Sequence, residues 1–206
     1  MNLTETQTDL LKETFNIGVG LAASSLSELS GGEEILLSVP TVEFKTLLDL
    51  EASVRESSGD EVCGVSETFS GPFDGSAMML YSKKESLELV KIMLGETIPV
   101  EQLSEMEGEA LCEVGNIVLN AVISALADMF GTEIGTEVPV LHTGNCMEVL
   151  QKSLGVAEEH QVLHLRMDFS LASHHLEGDI GFFLDVVSVE KLAQALDDYF
   201  RKILES

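Results

Sequence analysis

Slid against itself, the chain repeats at an offset of 100 residues, and a repeat of that length restricts the fold to one built from two like units. Asp9 to Gly31 (DLLKETFNIGVGLAASSLSELSG) lies over Glu109 to Gly131 (EALCEVGNIVLNAVISALADMFG). Leu11/Leu111, Glu13/Glu113, Asn16/Asn116, Ile17/Ile117, Ser24/Ser124, Leu26/Leu126 and Gly31/Gly131 are identical pairs. After one insertion SVP (Ser38 to Pro40) faces EVP (Glu137 to Pro139), then DGSAMMLY (Asp74 to Tyr81) resembles EGDIGFFL (Glu177 to Leu184). SLELVKIML (Ser86 to Leu94) likewise resembles SVEKLAQAL (Ser188 to Leu196). The matches keep their order, which points to duplication.

Each unit opens with a long helical pattern that stops at Gly31 or Gly131, where glycine tolerates the positive φ of a helix end. Strand-like runs follow, bounded by Gly, Pro, Asp and Ser: EILLSV, VCGVSETF and GSAMMLY in the first half, VLHLRMDFSLA and GDIGFFL in the second. A second helix closes each unit, from about Lys84 to Leu94 and from about Val187 to Leu204. Leu141 to His160 is the least legible stretch, with a short helix expected at CMEVLQKSL. The expected fold is α+β: a duplicated helix-strands-helix unit with pseudo-twofold symmetry and a largely antiparallel sheet flanked by long helices. No Gly/Ser-rich or Pro-rich linker parts the halves, so a single domain over 1–206 is expected, with repeats of about 1–100 and 101–206.

The charge narrows the partners. Eleven basic against 36 acidic residues give a formal net charge of −25, a field that repels phosphate backbones and anionic headgroups. Nucleic-acid and membrane-surface roles are disfavoured. With 45% hydrophobic residues the chain still has a core to bury. Three cysteines (Cys63, Cys112, Cys146) form an odd set without CxxC spacing inside apolar runs, and read as buried thiols of a reducing compartment, the cytoplasm. The first residues lack a basic n-region and no stretch reaches about 18 uncharged apolar residues, so neither export nor membrane insertion is expected.

On a helix, Asp9, Glu13, Asn16 and Gly20 lie within about 60° of one another. They form one stripe. Leu11, Phe15, Gly18, Ala22, Leu26 and Leu29 form an apolar stripe about 200° away, so the polar stripe is expected to face outward. Glu109, Glu113, Asn116 and Asn120 repeat it opposite Leu111, Gly115, Val118, Val122, Leu126 and Met129. An exposed mid-helix Asn costs a few tenths of a kcal/mol relative to Ala, so replacing Asn16 together with Asn116 by Ala should leave stability unchanged or slightly raised. Both copies keep the Asn, which favours a functional role for it.

With ExxN in each repeat, the chain resembles the CheC/CheX/FliY family of chemotaxis phosphatases, which dephosphorylate the response regulator CheY. The family pattern is Asp or Ser, three residues, Glu, two residues, Asn, then a proline a little over twenty residues later. Asp9, Glu13 and Asn16 fit, with Pro40 one residue beyond the usual place; Glu113, Asn116 and Pro139 fit, with Glu109 where Asp or Ser is expected. Two motifs in a chain of this length look most like CheC. The resemblance implies two opposed sites on one monomeric domain and, in CheC-type members, binding of CheD, a receptor deamidase. It further implies that the regulator supplies the aspartyl phosphate, Mg²⁺ and a lysine, and that the chain needs no cofactor of its own. Glu13 or Glu113 would pair with that lysine, Asp9 and Glu109 would contact the partner, and Asn16 or Asn116 would orient the attacking water, as a carboxamide can with one acceptor and two donors. The alternative is a catalytically weak adaptor that keeps the fold and binds CheD, a regulator or a flagellar component.

The bare residues agree with a site that acts in trans. A carboxylate and an amide on a helix face supply neither a nucleophile nor a phosphate-binding cation. On stripe bulk, the first site should be the better one, since Glu109 and Asn120 add side-chain atoms where Asp9 and Gly20 do not. Gly18-Val19-Gly20-Leu21-Ala22-Ala23 matches a dinucleotide fingerprint but follows no strand, so Gly18 and Gly115 instead suggest close packing of helix on sheet. His174 and His175 are adjacent, hence on opposite faces of a strand, which argues against a shared metal.

Overall fold

A computed structural model describes residues 3–32, 34–94, 100–154, 161–171 and 174–205. Helix α1 (Glu5–Leu29) begins at a capping box: Thr4 Oγ1 accepts from the Gln7 amide at 3.3 Å, and Gln7 Oε1 accepts from the Thr4 amide at 2.9 Å. It ends where Gly31 and Gly32 take φ of 80° and 93°, with the Gly32 N–H donating to the Ser27 carbonyl. Strand β1 (Ile35–Thr46) leads into helix α2 (Leu47–Ser58), capped by the Thr46 hydroxyl. The hairpin β2 (Glu61–Ser70) and β3 (Gly75–Ser82) and helix α3 (Lys83–Leu94) follow.

The same order then recurs: α4 (Val100–Phe130), β4 (Gly135–Thr136) with β5 (Val140–Asn145), α5 (Cys146–Leu154), β6 (Gln161–Leu171), β7 (His174–Leu184) and α6 (Val186–Glu205). Gly131 has φ of 63° at the end of α4, as at Gly31. Strands β1, β2, β3, β6 and β7 and the closing helices lie where the sequence places them, while α2, β4 and β5 are elements beyond the expected helix-strands-helix unit. The expected end of the β6 run at Ala172 lies outside the described residues, and the join near residue 100 borders 95–99, also outside them.

Seven antiparallel strands make one sheet in the order β1-β6-β7-β3-β2-β4, with β5 also on β2. Each half therefore lends an outer strand to the other's hairpin: β1 pairs with β6, and β5 with β2. The period-two alternation sends Leu163, Leu165, Met167 and Phe169 to the face under α1, α3, α4 and α6. Val162 and Phe183 point to the other face, under α2 and α5, with Leu50, Val54 and Leu150. Rings tie the main core together, Phe182 stacking on Phe15 at 5.7 Å and meeting Phe69 edge-on at 5.9 Å. Met106–Phe130 is long and apolar enough by composition to span a bilayer. Its Leu111, Val114, Val118, Leu119, Val122 and Leu126 are buried in this core.

Helices α1 and α4 lie side by side, in contact. A Cβ on Gly18 would stand 2.9 Å from the Ala121 carbonyl, so Gly18 admits α4 rather than the sheet. Gly115 is the residue that seats a helix on the sheet, since a Cβ there would stand 2.8 Å from Val65 Cβ.

Candidate functional site

The two ExxN motifs occupy matching places on α1 and α4 but differ in what covers them. In the first copy Asp9 and Glu13 are exposed and Asn16 is half-buried. Both amide hydrogens of Asn16 are engaged: Nδ2 donates to the Lys12 carbonyl at 2.8 Å and the Val39 carbonyl at 3.2 Å, and Oδ1 accepts from the Val39 N–H at 2.8 Å. The reason lies in β1. Its register on β6 slips between Ser38 and Thr41, so Val39 and Pro40 form a bulge without one-to-one partners. The extra residue keeps Ile35, Val39 and Val42 all facing the core, and Asn16 takes both backbone groups of the buried Val39. Asn16 is thus a clasp between α1 and β1.

This overturns the expectation that Asn16→Ala is neutral for stability. Removing the clasp leaves a buried N–H and a buried C=O unmet, at about 1–3 kcal/mol each, against a gain of a few tenths in helix propensity. Asn16→Ala should lower stability by about 2 kcal/mol and Tm by roughly 4–8 °C in a thermal melt. A Tm within about 1 °C of the parent would show that water replaces the clasp.

In the second copy the equivalent segment swings away. The Glu137 N–H donates to the Thr68 carbonyl at 3.0 Å, and the Thr68 hydroxyl donates to the Glu137 carboxylate, so EVP is held by β2. Val138 is 83% exposed. A groove of about 540 Å³ opens between α4 and residues 136–139, lined by Glu67, Glu109, Cys112, Glu113, Asn116, Thr136 and Pro139 among others. Glu109 and Glu113 are exposed and Asn116 is half-buried. Asn116 Oδ1 accepts from Asn120 Nδ2 at 2.9 Å, and Asn116 Nδ2 donates to no described residue. One lone pair and both amide hydrogens remain for a visitor.

Behind Asn116 lies a polar chain. Asn120 Nδ2 also donates to the Asn116 carbonyl at 2.9 Å and reaches Glu67 Oε2 at 3.4 Å, while Asn120 Oδ1 accepts from the Thr136 hydroxyl at 2.9 Å. Glu67 is 2% exposed, and its Oε1 is buried without a hydrogen-bond partner among the described residues. Burial raises its pKa, opposed by the hydrogen bonds of Thr136 and Asn120. Cys112 is half-buried on the groove wall rather than in the core; burial raises its thiol pKa, opposed by a hydrogen bond to the Leu141 backbone, so it stays protonated at neutral pH. Cys63 and Cys146 are buried, as expected.

Glu67 and Thr136 were not among the sequence candidates. Glu67 carried a signal, standing at an inward period-two position among Cys63, Val65 and Phe69, where a carboxylate has no packing reason to be. On the open face of the sheet, Asp168, His175 and Glu177 bring ligand atoms within 4.8 Å of one another. Glu177 is taken by Arg166 and His175 by Ser170.

This arrangement of helices on a seven-stranded antiparallel sheet is the fold of the CheC/CheX/FliY family. The FliY structure of Thermotoga maritima superposes with a TM-score of 0.77 at 20% identity, covering 97% of this chain and all of that one. A chain of the FliG–FliM complex of H. pylori gives 0.67 at 13% identity, over 93% of this chain and 100% of that one. No family model matches the sequence. Along the sequence the chain resembles CheC: it is 28% identical over 204 residues to the CheY-P phosphatase CheC of Bacillus subtilis (strain 168), 93% of this chain and 94% of that protein.

Proposed function

We propose that the chain is a protein aspartyl-phosphate phosphatase acting in trans on a CheY-like response regulator, and that its working site is the groove of α4. One observation carries this reading: a carboxamide with free donors and a free lone pair, half-buried in an open groove, one helical turn from the exposed Glu113. The likeness to a CheY-P phosphatase supports it. Among the described residues no Lys or Arg lines the groove, so charge neutralisation falls to the partner, and the regulator's own Mg²⁺ and lysine supply it. Asn116 orients water against the aspartyl phosphate; Glu113 pairs with the regulator lysine and fixes the docked helix. Glu109 meets the regulator at the rim. At α1, Glu13 and Asp9 remain exposed for docking, but Asn16 has no unused donor to hold a water. The bulk of the stripe is therefore a poorer guide to the better site than the backbone in front of it.

Engagement of Asn16 also favours a second reading, in which the α1 face docks a partner such as CheD or a flagellar component without chemistry. The test is dephosphorylation of a phosphorylated CheY-like regulator with and without the chain. Acceleration is expected, and raising ionic strength from about 0.05 to about 0.5 M should lower kcat/KM several-fold through slower encounter. Binding of the regulator with no acceleration would leave the adaptor reading standing alone.

A further inference from the structure

Building on the phosphatase reading, we propose that Asn120 and Glu67 are positioning residues of the α4 site. Asn120 fixes the direction of the Asn116 carboxamide, and the buried Glu67 carboxylate fixes the direction of Asn120.

The argument is one of donors and acceptors. A carboxylate only accepts, so the Asn120 edge toward Glu67 must be its Nδ2, and its Oδ1 must face the hydroxyl of Thr136, which donates. In that orientation Asn120 Nδ2 shares its two hydrogens among Glu67 Oε2, Asn116 Oδ1 and the Asn116 carbonyl, and the Asn116 amide hydrogens are directed to the groove. If Asn120 turned over, its Oδ1 would oppose Asn116 Oδ1, two acceptors at contact, and the Asn116 carboxamide would have to rotate. Glu67 is the one member of the chain whose donor and acceptor character changes with protonation. Once protonated it can donate as well as accept, and Asn120 no longer has a single preferred direction.

The setting makes that protonation accessible. Lining the same groove as Glu67 are Glu109, Cys112 and Glu113 of α4 and Glu137 after β4, and Ala77 pairs with it on β3; no cation stands among them. An orphaned Oε1 without solvent adds to the cost of the charge. The Glu67 pKa is accordingly raised, so as pH falls Glu67 takes its proton before an exposed glutamate would, and the competent orientation is lost on the acid side.

Three chains decide it: wild type, Glu67→Gln and Asn120→Ala, each assayed for regulator dephosphorylation between about pH 8 and pH 5.5 with the regulator's own decay subtracted. Asn120→Ala is expected to lower kcat about tenfold with KM within about twofold, since the docking face is untouched. Glu67→Gln, a neutral isostere that removes a buried charge and should fold, is expected to lower kcat at pH 8 and to lose the acid limb of the wild type. In the free chain, the side-chain amide NMR signals of Asn116 and Asn120 should shift together with pH in the wild type and stay still in Glu67→Gln. An unchanged acid limb in Glu67→Gln, or amide signals that ignore pH in the wild type, overturns the inference. An inactive but folded wild type overturns the phosphatase reading instead, and is told apart by its own lack of turnover.

Discussion

Asn116→Ala is expected to lower regulator dephosphorylation by about 10²-fold with little change in Tm, while Asn16→Ala leaves more than half of the activity and takes the larger loss of stability. The two Asn residues have the same place in the repeat, so the difference must come from what stands in front of them. At α1 the bulge of β1 brings Val39 onto the carboxamide, and with the Lys12 carbonyl it takes both amide hydrogens. At α4 the matching segment hydrogen-bonds to β2, Val138 turns out, and Asn116 faces a groove. An amide that orients water must give up one set of hydrogen bonds for another at nearly no cost, which Asn116 can and Asn16 cannot. Initial rates on one phosphorylated regulator, paired with melts of both variants, check this. If activity follows Asn16 and stability follows Asn116, the clasp and the catalytic amide have been assigned to the wrong copies.

Phe182→Ala should cost about 3–5 kcal/mol and lower Tm by roughly 10 °C or more. Phe182 is 1% exposed at the middle of the sheet, stacked on Phe15 of α1 and edge-on to Phe69 of β2. Phe69 meets Phe73 at 6.0 Å, and Phe73 meets Phe130 at the end of α4 at 6.0 Å. Truncation therefore opens a cavity where both site-bearing helices lean on the sheet, and a rigid sheet centre cannot collapse to fill it. Denaturant unfolding measures the loss, and one below about 1 kcal/mol would mean that the rings are not the joint of the core.

Much of this was legible because the signals were local. Glycine at Gly31 and Gly131 marked both helix ends, and alternation in VLHLRMDFSLA gave β6 and its inward face. Helix α2 escaped because only Leu50 and Val54 are buried on it while Leu48 is exposed, too thin a stripe to set a period. Strand β5 escaped for a related reason, its residues being exposed or half-buried at the sheet rim. The Asn16 clasp and the Glu67 chain were illegible in a different way. Each depends on which backbone or side chain arrives from a distant element, and the ExxN spacing is blind to that. Gly20 lies on the exposed face of α1, where the polar stripe was expected, with nothing within 4 Å of a Cβ placed there.

The exchange of outer strands between the halves bears on how the molecule is born. Strand β1 pairs Ile35 with Leu171 and Thr46 with Gln161, so a growing chain holds β1 without its neighbour until β6 has left the ribosome. At about 5–20 residues per second that wait is on the order of ten seconds. Through it Ile35, Val39 and Val42 have no sheet to lie on, and α1 must wait for α4. A nascent chain in that condition offers an open edge to the finished β6–β7 hairpin of a neighbouring copy, and the crowded polysome is where such strand exchange between molecules would begin.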